Sequence, residues 1–173
     1  MRFPPIHALL STYFATVRSI LEYCSVVWGG AAESHIKRIE RVQEKFLVWL
    51  CARCHVSGVS FAYQDLTARF GVSTLRARIQ HHDIMFVRNI HRQKICSSFL
   101  LDAFPLSVPA RALRHRSLFA SSLGRPRVNT VKSSVFNRAP SSCNAFLDAN
   151  RDMDVWESGV VEFKRRVAAY VAR

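Results

Sequence analysis

Two amphipathic helical patterns on either side of a glycine break leave this chain few ways to fold. Residues 13–50 read YFATVRSILEYCSVVWGGAAESHIKRIERVQEKFLVWL. In the first pattern Leu10, Tyr13, Phe14, Val17, Ile20, Leu21, Cys24, Val27 and Trp28 recur at three- and four-residue steps, which sets them along one stripe of an α-helix. Gly29 and Gly30 are then the expected stop, since glycine tolerates the left-handed conformation common at helix C-termini. Ser34 is the expected N-cap of a second helix whose stripe is Ile36, Ile39, Val42, Phe46 and Leu50. Helices joined this tightly are expected to pack antiparallel, each covering the other's stripe. Trp28 is expected in that core.

Further helical patterns follow. Phe61 to Arg69, capped by Ser60 and closed by Gly71, predicts a short helix. Ser73 then caps a longer one with Leu75, Ile79, His82, Phe86, Val87 and Ile90 inside and Arg76, Arg78, Arg88, Arg92 and Lys94 outside. Ser98 to Phe104 is a short apolar helix. Residues 105–134 hold Pro105, Pro109 and Pro126, six arginines or lysines and no acid, which predicts a loop or extended connector. A last amphipathic helix is expected from Val155 to Val171. The reading is all-α, divided into a helical region 1–104, a basic connector 105–134 and a C-terminal helical segment 135–173. With 49% apolar residues and only 12 glycines and prolines, a globular chain is expected rather than a disordered one.

The wording of the hairpin goes beyond periodicity. Arg18, Ile20, Leu21, Glu22, Tyr23, Ser25 and Trp28 match "R-x-I-L-E-Y-x-S-x-x-W". Ile36, Ile39, Glu40, Val42, Gln43 and Phe46 match "I-x-x-I-E-x-V-Q-x-x-F". Together they resemble the thumb region of the reverse transcriptases of non-LTR, jockey-like retrotransposons. Arg138 and Asn144 resemble the "R-x-x-x-x-W-N-x-L-P" with which that family often ends, with Phe136 and Pro140 close by, Cys143 where the tryptophan is usual and Phe146-Leu147 in place of Leu-Pro. FKRRVAAYV resembles its closing "F-K-x-x-L-x-x-x-L". The likeness is dense at residues 18–46 and thin beyond. It implies the thumb and connector of an RNA-directed DNA polymerase, with the missing palm domain of the parent enzyme as a possible partner.

Catalysis is not expected of this stretch. A polymerase needs clustered carboxylates holding two metal ions, and no "Y/F-x-D-D" occurs. Asp148, Asp152, Asp154 and Glu157 stand close in sequence, but Asp154 reads as an N-cap with Glu157 completing a capping box. CARCH at Cys51–His55 has the spelling of a haem-attachment string, yet it continues a helix and no export signal is evident. Zinc wants two well-spaced ligand pairs. Cys51, Cys54 and His55 supply one, while the adjacent His81 and His82 point about 100° apart on a helix. No cofactor or metal is expected.

Charge points to binding. The net charge is +13. Residues 35–98 carry 11 basic against 4 acidic side chains and residues 99–147 carry 7 against 1, while both flanks are neutral. Such a block commonly faces polyphosphate. The candidate contacts are Lys37, Arg38, Arg41 and Lys45 on the second helix, with Glu40 and Glu44 diluting their stripe. Arg111, Arg114, Arg116, Arg125 and Arg127 in the connector extend the set. Aromatics for base stacking are few, so duplex or RNA–DNA hybrid is the expected partner, held by its phosphate backbone. An autonomous basic nucleic-acid-binding module and an inert transposon remnant are the alternative readings. Arg18 and Glu22 interrupt the apolar run 8–28 and argue against a membrane span. Five cysteines without a framework spacing suggest reduced thiols in the cytoplasm or nucleus.

Overall fold

The computed structural model describes residues 5–53, 61–107, 117–120 and 128–172. The fold is all-α: among the described residues no strand occurs, only an isolated bridge between Leu106 and Phe119. The chain divides into two compact units, residues 1–25 with 31–76 and residues 26–30 with 77–173. The regions drawn at 104 and 134 rest on composition, whereas these units rest on packing, and the two partitions do not coincide.

In the first unit, α1 (Ile6–Tyr13) runs into a π-helical turn at Phe14–Arg18, followed by α2 (Ser19–Leu21). The helix stops there, not at Gly29 and Gly30: Cys24 takes a positive φ of 53°. α3 (Ser25–Trp28) resumes after it, and from Val26 to Gly30 the chain belongs to the second unit. A π turn holds one extra residue, which swings the downstream side chains by about 100° from the α register. A stripe counted at 3.6 residues per turn therefore fails beyond Phe14. Leu10, Tyr13 and Phe14 do face α4 (Glu33–Arg53), where they join Phe46, Leu47, Val48 and Cys51. Tyr13 stacks on Phe46 with ring centroids 4.0 Å apart. Ile20 and Tyr23, by contrast, are each 76% exposed, and Trp28 is only half-buried. Arg18 and Glu22 pair at 2.9 Å as their spacing predicts, with Arg18 over the Phe14 ring.

α4 begins at Glu33, so Ser34 lies inside the helix, and His35 and Ile36 bond back to the Ala32 carbonyl. Its buried residues are Ile36, Gln43, Leu47, Leu50 and Cys51, while Val42 is exposed. The inner face is thus rotated from the one drawn on the sequence. α5 (Tyr63–Phe70) packs on α4 through Leu66 and closes at Gly71, whose φ of 62° requires the conformational freedom of glycine. Ser60, its expected cap, lies outside the described residues.

The second unit is built on α6 (Leu75–His91), which starts in the first. Ile84, Met85, Val87 and Ile90 meet Ala103 of α7 (Ser98–Ala103) and Phe104. Ala139, Cys143 and Phe146 of α9 (Val135–Ala149) and Phe163 and Val167 of α10 (Val160–Val171) complete the core. Burial pushes the Cys143 thiol up to about 12. Two predicted outer-face cations are inside. Arg78 is 6% exposed. Arg88 is fully buried, lies over the Phe163 ring and donates to the Ser158 carbonyl. Burial and neighbouring Arg92 lower its pKa.

The described parts of the connector, residues 105–107, 117–120 and 128–134, are more structured than their composition suggests. Ser107 N–H bonds the Leu118 carbonyl at 2.8 Å, and the Asn144 amide clips the Phe119 backbone through both its N–H and its carbonyl. α8 (Asn129–Lys132) forms one helical turn within the predicted loop. The last helix starts at Val160 rather than Val155, because Asp154 caps a separate turn by accepting from Trp156 and Glu157 N–H.

One side chain ties four pieces of this unit together. Arg138 donates to both Asp83 carboxylate oxygens at 2.6 and 3.0 Å, to the Ser133 carbonyl at 2.8 Å and to the Val26 carbonyl at 2.7 Å. A Cβ on Gly30 would stand 1.9 Å from the Ser133 carbonyl oxygen, so that glycine serves close backbone approach rather than a helix stop. Burial raises the Asp83 pKa, and the Arg138 hydrogen bonds and charge pull it back. Arg138→Leu is expected to cost about 3–5 kcal/mol at neutral pH, because a buried charge loses its partner. Without that counter-charge the folded-state pKa of Asp83 rises further, so the folded state binds the proton more tightly than the unfolded chain. The destabilisation should therefore shrink as pH falls toward about 4, which urea melts of the variant across that range will check.

Candidate nucleic-acid interface

The geometry of α4 follows from 100° per residue. Lys37, Arg38, Arg41 and Lys45 fall within about 100° of arc, opposite the buried face of Ile36, Gln43, Leu47 and Leu50. All four cations are exposed, and among the described residues no ion pair engages them. They form a track about 12 Å long at 1.5 Å rise per residue.

A polar cluster on the opposite side holds this face outward. Glu40 is turned away from the cations rather than lying among them. Its carboxylate accepts from the Tyr63 hydroxyl at 2.9 Å and from Leu75 N–H at 3.0 Å. Buried Gln43 donates from Nε2 to the Tyr63 hydroxyl and to the Ser73 carbonyl at 2.8 and 3.1 Å. The polar residues inside the apolar IERVQEKF pattern thus fasten α5 and the start of α6 to α4. Glu44 alone flanks the basic face, half-buried.

The C-terminal end of the track opens into a hollow of about 420 Å³ lined by Arg41, Glu44, Lys45, Val48 and Trp49. Trp49 is 47% exposed and rests against Phe46, ring centroids 6.0 Å apart. Trp49 is not among the residues expected from the sequence, although it continues the four-residue step of Arg41 and Lys45. Phe119, the only Phe, Tyr or Trp in the sequence of residues 105–134, is buried and cannot stack on a base. Arg111, Arg114, Arg116, Arg125 and Arg127 lie outside the described residues.

The aspartates toward the C-terminus are engaged by arginines or by backbone N–H groups. Asp152 bonds Arg166 at 2.6 Å, which lowers its pKa; Asp148 meets Arg151 at 3.3 Å; Asp154 caps its turn. Among the described residues no group of three or more His, Cys, Asp or Glu is placed to hold a metal ion. Cys51 is buried, while Cys54 and His55 fall outside the described residues. His81 and His82 are both half-buried, so His82 is not fully inside as expected, and their rings meet edge to face at 6.0 Å. Burial lowers the His81 pKa, with His82 and Lys164 adding to it. Among the described residues no helix is long and apolar enough to cross a membrane.

Compared with known proteins, the chain matches no family model, no curated protein and no solved structure.

The two faces of α4 differ in their expected response to substitution. Gln43→Ala removes the donor to the Ser73 carbonyl and to the Tyr63 hydroxyl and is expected to cost about 1–3 kcal/mol. Alanine at Arg38, Arg41 and Lys45 should change stability by no more than about 0.5 kcal/mol per site. Chemical denaturation of the four variants separates the structural face from the free one.

Proposed function

We propose that this chain is the thumb and connector of a non-LTR retrotransposon reverse transcriptase, and that it holds template–primer nucleic acid by its phosphate backbone without reading sequence. The observation carrying this reading is the exposed cation track of α4, engaged by no ion pair among the described residues and set opposite a face pinned by Glu40 and Gln43. Phosphate contacts need accessible cations, and they need no base recognition. The resemblance at residues 18–46 supplies the polymerase context. Arg111, Arg114, Arg116, Arg125 and Arg127 join the proposal on sequence grounds alone. No catalytic role is assigned to any residue.

A second observation favours a part of a larger enzyme over an autonomous module. Ile20 and Tyr23 stand 76% exposed within the stretch that resembles the thumb. A self-sufficient domain gains little from showing such side chains to water, and large exposed apolar groups often mark interaction surfaces. They are suited to a protein neighbour such as the palm domain of the parent polymerase.

The test is binding against salt. Affinity for duplex DNA and for RNA–DNA hybrid should fall steeply between low and physiological salt as condensed counterions are released. Alanine at Arg38, Arg41 and Lys45 should reduce the slope of log K against log salt by about 0.9 for each phosphate no longer neutralised on duplex DNA. Salt-independent affinity, or a triple variant that binds as tightly as the parent, removes the track from the interface. Absence of any binding at low salt leaves the inert-remnant reading.

A further inference from the structure

The hollow at the end of the α4 track has a chemistry that a backbone-only interface does not use. Arg41, Lys45 and Trp49 follow one another at four-residue steps, so two cations and an indole share one edge of the helix. Trp49 is held from within, since Phe46 lies against it while itself stacked on Tyr13 at 4.0 Å and 7°. An aromatic ring fixed in this way and still 47% exposed loses little freedom when a planar partner settles on it. The volume of about 420 Å³ falls at the small end of ligand pockets, which run from about 300 to 1,000 Å³. Glu44, also on its wall, is acceptor-only when ionised. It suits a base amino group or a sugar hydroxyl, whereas phosphate is left to Arg41 and Lys45.

We infer that this hollow takes one unpaired nucleotide, its base stacked on Trp49 and its phosphate held by Arg41 and Lys45. The inference rests on the nucleic-acid reading above and adds a substrate class to it: duplex carrying a single-stranded extension, rather than uniform duplex. The extension runs off the cation track at the point where paired bases are no longer required. A single platform gives no sequence preference, because every base presents a π-face.

The experiment compares a blunt RNA–DNA hybrid with the same hybrid bearing a short single-stranded overhang, for the full chain and for Trp49→Ala and Trp49→Phe. The parent should prefer the overhang. Trp49→Ala should weaken overhang binding about five- to a hundredfold, leave blunt hybrid unchanged and leave the salt slope unchanged, since every phosphate keeps its cation. Trp49→Phe should retain most of the preference. Circular-dichroism melts confirm that each variant is folded, as expected for a half-exposed side chain. Equal binding of both ligands by the parent, or an overhang preference that survives Trp49→Ala, overturns the stacking site while the salt slope still reports the phosphate track. Loss of salt-dependent binding in the parent itself overturns the track and the stacking site together.

Discussion

The rotation of α4 about its own axis is the constraint on which the proposed interface depends, and two polar side chains fix it. Glu40 and Gln43 reach Tyr63, Ser73 and Leu75, so a turn of the helix by one residue would strand several hydrogen-bonding groups at once. Apolar burial alone is non-directional and would tolerate small rotations. A hydrogen-bonded cluster does not, because an unmet buried donor or acceptor costs the full desolvation of the group. The outward placement of Lys37, Arg38, Arg41 and Lys45 is thus decided on the far side of the helix.

Arg138 does comparable work in the second unit. It meets Asp83 in the middle of α6, the carbonyls of Ser133 and Val26, and sits beside Gly30, whose missing Cβ makes room for the approach. Such a pair adds less to stability than its several hydrogen bonds suggest, because both charges leave water. Its effect is geometric: the α9 register and the position of residues 26–30 are defined relative to α6. In both units the residues matching the reverse-transcriptase pattern include the side chains making these ties, Glu40 and Gln43 in one and Arg138 in the other. That gives the polar positions of the pattern a structural reason that stands apart from the resemblance.

The all-α class, α5 with its Gly71 stop, and the start of α6 were legible because 3.6-residue periodicity and a left-handed glycine are local signals. The first helix was not, because a π turn at Phe14–Arg18 leaves no mark in composition yet displaces every later position of the stripe. Its stop was hidden for a related reason: Cys24, not a glycine, takes the left-handed conformation. Of the candidate site, the four α4 cations were legible from their spacing. Trp49 was not, since an aromatic next to buried Leu50 reads as core until the inner face is placed.

Counting charge along the sequence could not separate cations that hold the fold from cations free to meet a partner. The basic excess of residues 35–98 includes Arg78 and Arg88, both buried, and Arg76, which pairs with Glu33. Arg138, in the next block, is committed to Asp83. Take these away and, among the described residues of the basic block, α4 carries the main run of exposed cations outside any ion pair. A long side chain whose guanidinium is desolvated against Phe163, as that of Arg88 is, cannot neutralise a phosphate without leaving its place in the core. Removing it would lower nucleic-acid affinity only by unfolding the unit around it, and would mimic a contact that does not exist. The α4 substitutions carry no such ambiguity, because their side chains end in solvent on a helix whose stability comes from its other face.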